Sequence, residues 1–137
     1  MSVLIDTSVW SLGLCRRKRD LRPEELKTFY AWDQILTRGD AVIIGPIRQE
    51  ILSGLATSEE FEIIKSRLAN TPDLDLSSET YELAASYFNA CRSTGVAPGA
   101  IDMTICAAAH EHGVAIFTTD ADFVRYAVVL PIRLYEP

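Results

Sequence analysis

The chain has 137 residues, 48% of them hydrophobic, with a formal net charge of −6 and a sequence pI near 4.8. That length and apolar content predict one globular domain over residues 1–137 and exclude a disordered chain. The charge repels phosphate at long range, which argues against a sequence-reading DNA binder, yet it suits an acidic centre whose ligands raise the negative count while a cation reverses the field locally.

Met1–Asp6 lacks the basic and long apolar segments of a signal peptide, and no run approaches the roughly 20 apolar residues of a membrane span, so a cytoplasmic protein without membrane association is expected. Val3-Leu4-Ile5 reads as a short buried strand that stops at Asp6, and Thr7-Ser8 open a helical turn carrying Val9, Trp10 and Leu12. Arg16-Arg17-Lys18-Arg19 with Arg22 form the one dense basic run, either a solvated loop or a phosphate-contacting edge. Pro23 starts a helix that Glu24 and Glu25 favour through its dipole and that runs to about Arg38, before Gly39. Its apolar residues exceed one stripe: Leu26, Phe29, Trp32 and Leu36 share a face, while Tyr30, Ala31 and Ile35 spread onto others and suggest a partner chain.

Ala41–Ile44 is a second buried strand, and Pro46 starts a helix with Ile47, Ile51, Leu52 and Leu55 inward and Glu50 about one turn in. Thr57 and Glu60 form a capping box for a helix whose Phe61, Ile64 and Leu68 repeat at helical spacing. Pro72–Leu76 reads as a short strand or extended link, followed by a long helix with Tyr81, Ala84, Phe88 and Cys91 inward that ends near Gly95. A further helix runs from about Ala100 to Gly113, with Asp102 in its first turn. Val114–Thr118 is a third strand, Asp120 follows it as Asp6 follows the first, and a short helix continues through Tyr126. Val128–Leu130 and Ile132–Leu134 suit an edge strand that tolerates Pro131. Strands alternating with helices predict a three-layer α/β fold, with helices on both faces of a short parallel sheet of about four to five strands.

In such a sheet the site forms beyond the carboxyl ends of the strands. Asp6 and Asp120 end strands there, and Glu50 and Asp102 occupy early turns of helices that begin on the same side. Asp6 and Asp120 also suit helix N-caps. Asp102 is harder to explain that way, because it precedes Ile105-Cys106-Ala107-Ala108-Ala109 and no Lys or Arg occurs between Ser93 and Thr119 to neutralise it, which points to a metal or to solvent. Clustered carboxylates repel one another unless a cation lies between them, and an oxygen-only donor set selects Mg²⁺ or Mn²⁺ over Zn²⁺. His110 and His112, in the last turn of the Asp102 helix, are expected to be structural or exposed, and Cys91 and Cys106 to be small core residues beside an unpaired Cys15.

Four blocks in this order resemble the PIN-domain ribonucleases, and more narrowly the VapC-type toxins of toxin–antitoxin pairs. They are Leu4-Ile5-Asp6-Thr7-Ser8-Val9-Trp10, Pro46 to Gly54 around Glu50, Ile101-Asp102-Met103-Thr104-Ile105-Cys106-Ala107-Ala108-Ala109, and Phe117-Thr118-Thr119-Asp120-Ala121-Asp122-Phe123. The resemblance implies a PIN-like fold and a metal site of Asp6, Glu50, Asp102 and Asp120, with Asp122 as an additional acid and Ser8 and Thr118 orienting the ligands or the attacking water. It also implies Mg²⁺- or Mn²⁺-dependent endonucleolytic cleavage of RNA and a cognate antitoxin as partner, and the over-apolar helix from Glu24 to Arg38 is the candidate for part of that contact or of a homodimer interface. Two other readings compete. One is a receiver-type phosphoacceptor domain, which needs a lysine by its acids that no strand end here offers; the other is a catalytically silent PIN-like module that binds RNA or protein.

Overall fold

The computed structural model describes residues 1–137. In chain order the elements are β1 (Val3–Ile5), α1 (Thr7–Cys15), a 3₁₀ turn (Lys18–Asp20), α2 (Pro23–Arg38), β2 (Ala41–Val42), α3 (Gly45–Ser53), α4 (Ser58–Leu68), α5 (Ser78–Ser93), α6 (Ala100–His112), β3 (Ala115–Phe117) and α7 (Asp122–Val129). The three strands are all parallel in the order β2-β1-β3. Val3, Leu4 and Ile5 are at most 4% exposed, as a central parallel strand covered on both faces requires. The chain leaves β1 through α1 and α2 toward β2, then crosses back through α3 to α6 to reach β3 on the other side of β1. Connections that depart in opposite directions open a crevice at the carboxyl end of β1, where Asp6 stands.

The sheet is shorter than the expected four to five strands. Pro72–Leu76 and Ile132–Leu134 each join it by a single bridge, Ile43 with Asp73 and Ile116 with Leu134. Proline limits both additions. Pro72 has no N–H and contributes only its carbonyl, which accepts from the Ile43 amide at 3.1 Å, while after Pro131 the Ile132 amide is consumed in a local turn to the Leu130 carbonyl at 2.9 Å. The run Val128-Val129-Leu130 is not an edge strand either, because α7 continues to Val129. Burial explains the difference: Phe123, Tyr126 and Leu130 are buried at helical spacing, whereas Val128 is 85% exposed.

The core is centred on α6, whose residues Met103 to Ala109 are all buried. Small side chains at Cys106, Ala107, Ala108 and Ala109 let neighbouring elements approach a helix enclosed on every side. Cys91 and Cys106 are buried free thiols and Cys15 is exposed. In α2, the residues buried are Thr28, Ala31, Trp32 and Ile35. Tyr30 remains on the surface beneath Lys18, whose ammonium lies 4.4 Å from the ring centroid. Part of the basic run is neutralised by the first turn of α2, since Arg16 pairs with Glu25 at 3.4 Å and Arg22 with Glu25 at 3.1 Å. The start of α4 shows half of the expected capping box: the Glu60 amide donates to Thr57 Oγ1 at 3.1 Å.

Helices α1 and α2 meet through an aromatic contact with no slack. The Trp10 and Trp32 rings stand edge to face at 5.9 Å, and Trp10 Nε1 donates to the Ile5 carbonyl at 3.1 Å, tying the helix to the end of β1. Trp32 lies flat against Gly13, where an added Cβ would fall 2.6 Å from ring atoms. Gly13→Ala is therefore expected to cost about 1–3 kcal/mol by overpacking, while Gly54→Ala, whose Cβ would meet nothing within 4 Å, leaves stability within about 0.5 kcal/mol. Urea unfolding of the two variants checks this, and equal midpoints would refute the close α1–α2 contact.

Candidate functional site

The register of the sheet assembles the site. Ile5 pairs with Phe117, and the Asp6 amide donates to the Phe117 carbonyl at 2.9 Å, so Asp6 and Thr118 leave the sheet side by side. Thr118 Oγ1 donates to Asp6 Oδ2 at 2.8 Å and Ser8 Oγ donates to the same oxygen at 2.9 Å. Both hydroxyls also accept from the following loop, Ser8 Oγ from the Thr119 amide at 3.1 Å and Thr118 Oγ1 from the Asp120 amide at 3.0 Å. One connected network thus fixes Asp6, which is 7% exposed, and the backbone that carries Asp120. Asp6 occupies the N-cap position of α1 but its side chain makes no capping bond, since Oδ2 serves the two hydroxyls instead. Asp120 does act locally on the turn into α7: its Oδ1 accepts from the Asp122 amide at 2.9 Å.

Three of the acids form a tight group. Carboxylate oxygens of Asp102, Asp120 and Asp122 lie within 4.8 Å of one another. Helix α6 delivers Asp102 from its first turn, and the loop after β3 and the first turn of α7 deliver the other two. Burial raises the Asp102 pKa above its ordinary value; the negative charges of Asp6, Asp120 and Asp122 push in the same direction, and a hydrogen bond from Tyr126 opposes them. That bond runs from Tyr126 OH to Asp102 Oδ2 at 2.9 Å. On the far side of the cluster Arg125 forms an ion pair with Asp122.

The placement of the sequence-predicted residues is uneven. Asp102, Asp120 and Asp122 come together, and Asp6 adjoins them through the hydroxyl network. Glu50 is exposed on α3 and lies outside the group, on the wall of a surface groove lined by Pro46, Gln49, Glu50, Ser53 and Ile101. Its link to the acids is Ile101, the residue before Asp102. Three contributors went unread in the sequence. Tyr126 and Arg125 are supplied by α7, and a helical projection from Asp122 puts positions three and four residues on beside it. Gly99 approaches Asp102 so closely that an added Cβ would lie 3.0 Å from Oδ2. His110 and His112 point elsewhere, with Nδ1 and Nε2 at 3.2 and 2.9 Å from the carbonyls of Pro131 and Asp75.

The donor set tests well for a hard divalent cation. Every candidate ligand atom is a carboxylate oxygen, the acids repel one another, and the one paired cation, Arg125, engages only Asp122. Fold and site therefore define an α/β protein with a clustered-carboxylate centre beyond the carboxyl ends of a parallel sheet. The chain belongs to the PIN domain family, whose model matches residues 3–129. Among solved structures it is similar to FitAcB from Neisseria gonorrhoeae, at 20% identity and a TM-score of 0.66, covering 98% of this chain and 97% of that one. It is also similar to VapBC2 from Rickettsia felis bound to a promoter DNA fragment, at 15% identity, a TM-score of 0.70 and 98% of both chains. DNA-bound VapBC from Salmonella typhimurium matches at 15% identity and a TM-score of 0.69, over 98% of this chain and 97% of that one. At these identities the likeness is one of fold. No curated protein matches the chain.

The raised Asp102 pKa carries a consequence for stability. The folded state favours the protonated acid, so this contribution is fully present below the ordinary carboxylate range near pH 4 and is lost as pH rises through the raised value. In EDTA, Asp102→Asn is expected to melt higher than the parent protein at neutral pH, with the difference shrinking as pH falls toward 4. Thermal unfolding across that range checks the sign; parallel profiles would contradict a destabilising buried charge.

Proposed function

We propose that the protein is a Mg²⁺- or Mn²⁺-dependent endoribonuclease and the toxin of a type II toxin–antitoxin pair. The observation that carries this reading is the convergence of Asp102, Asp120 and Asp122 within 4.8 Å, beside a buried Asp6 held by Ser8 and Thr118. PIN domains are typically nucleases, and the solved structures of this fold include VapBC and FitAB assemblies, some on DNA. The receiver-domain alternative loses its footing, because the cation paired within the acid group is Arg125 rather than a lysine.

In this reading Asp102, Asp120 and Asp122 hold the cation and Asp6 completes the negative field from the sheet side. The chemistry a bound divalent cation supplies is Lewis acidity toward the scissile phosphate and the attacking water. The chain's own residues do the positioning: Ser8 and Thr118 fix Asp6, and the same hydroxyls fix the loop backbone that sets Asp120. Glu50, on the groove wall, is left to accept a hydrogen bond from the water rather than to hold the first cation. Neutralisation of the acid group also makes the site accessible to phosphate in a chain of net charge −6. The antitoxin is expected to cover this cleft with a basic or apolar segment.

Incubation of labelled RNA with the protein in Mn²⁺, and in EDTA, is expected to give cleavage only with the metal. Asp6→Asn and Asp102→Asn should abolish it while remaining folded, and Glu50→Gln should lose turnover while still binding Mn²⁺. Full activity in both aspartate variants would sink the assignment. As part of the same reading the isolated protein is a homodimer, with α2 as the candidate surface through its exposed Tyr30. Size-exclusion chromatography with light scattering should give twice the 15.2 kDa chain mass; a monomer at micromolar concentration would remove the dimer.

A further inference from the structure

Asp102 is held from two sides by residues with no assigned role. Tyr126 is 1% exposed, and its ring packs edge to face on Phe123, at 5.2 Å and 74°, which fixes the direction of the hydroxyl. A buried phenol needs a hydrogen-bond partner, but any carbonyl would satisfy it, as the Ile5 carbonyl satisfies Trp10. Tyr126 instead donates to Asp102 Oδ2 at 2.9 Å. Gly99 closes the same oxygen from another side, because an added Cβ there would sit 3.0 Å from it, although the Gly99 backbone at φ −102° and ψ 139° is open to any residue. The absence of a side chain at position 99 therefore answers to the Asp102 carboxylate and not to the backbone.

We infer that Tyr126 is a positioning residue for the acid group: its hydroxyl, with Gly99 behind it, pins Asp102 Oδ2 so that the other carboxylate oxygen is presented to a divalent cation shared with Asp120 and Asp122. The inference rests on the metal reading above and deepens it. A carboxylate free to rotate about its last side-chain bond presents its oxygens in many directions, whereas one anchored through Oδ2 presents one. Carboxylate ligands are commonly fixed by such outer partners, whose loss typically costs about 10–100-fold in metal affinity or activity. Helix α7 thus contributes twice, with Asp122 as a ligand and, four residues on, Tyr126 as the group that orients a ligand on α6.

The test is Mn²⁺ binding by the intact chain, read from the free-ion EPR signal, for the parent protein, Tyr126→Phe, Gly99→Ala and Asp102→Asn, with unfolding in EDTA measured alongside. Tyr126→Phe keeps the packed ring and removes only the donor, and Gly99→Ala adds a methyl that presses on Oδ2 while keeping the phenol, against which the Gly99 backbone also lies. Both are expected to stay folded in EDTA and to bind Mn²⁺ at least about tenfold more weakly, with RNA cleavage losing kcat at unchanged KM. If Asp102→Asn loses Mn²⁺ binding while Tyr126→Phe retains parental affinity, the positioning role is overturned and the metal reading survives. If Asp102→Asn binds Mn²⁺ as the parent does, both are overturned. Should Tyr126→Phe prove unstable, Gly99→Ala decides: weakened Mn²⁺ binding upholds the pinned carboxylate and unchanged binding overturns it.

Discussion

The mutual repulsion of carboxylates gathered at one edge of a small sheet is the constraint around which this molecule is arranged. Asp102, Asp120 and Asp122 approach within 4.8 Å and Asp6 adds its charge from the end of β1. Charges held so close in a partly buried setting raise one another's energy, and nothing in the local backbone obliges them to meet. They meet because three parallel strands in the order β2-β1-β3 send Asp6 and the Thr118–Asp120 loop out at the same level, while α6 begins beside them. The fold imposes the repulsion, and the surrounding hydroxyls, Tyr126 and Arg125 answer only part of it.

That partial answer has a distinct form at each acid. Asp6 is the most buried and takes two neutral hydroxyl donors on a single oxygen. Asp122 has a full counter-ion in Arg125, and Asp120 accepts a backbone amide. Asp102 receives one phenol bond, and burial still leaves its pKa raised. A hydrogen bond to a charged group contributes about 1.5–3 kcal/mol, which does not offset desolvation together with three like charges. The acid least satisfied by the protein is therefore the one set on the rigid helix at the centre of the core. This is the arrangement expected of a site that keeps its remaining capacity for a cation.

Much of the layout was legible from pattern alone. Continuous apolar triplets ending in Asp marked β1, and the small-residue run Ile105–Ala109 marked the enclosed helix, because these signals depend on burial that local sequence already expresses. The misreadings have a common origin in choices that no local window contains. Val128-Val129-Leu130 has strand-like composition, but the helical burial of Phe123, Tyr126 and Leu130 prevails. The place of Glu50 is a different matter and not a misreading: no local window shows that its side chain ends on a groove wall outside the Asp102–Asp120–Asp122 group. Arg125 and Tyr126 were read only as part of a short helix, since a phenol and a guanidinium become informative once their helix is docked against α6.

The sequence by itself determined which residue types are available to the site: acids following apolar strands, no lysine or arginine between Ser93 and Thr119, and no histidine or cysteine among the candidate ligands. It also determined the alternation of strand and helix from which a parallel sheet follows. Only the tertiary structure decided which acids share one space and which side chains hold them there. The physical reason is that carboxylate chemistry at this site depends on distances of a few ångströms between segments far apart in the chain: strand register brings Ser8 and Thr118 to Asp6 and sets the loop that carries Asp120, and the docking of one helix on another brings Tyr126 to Asp102.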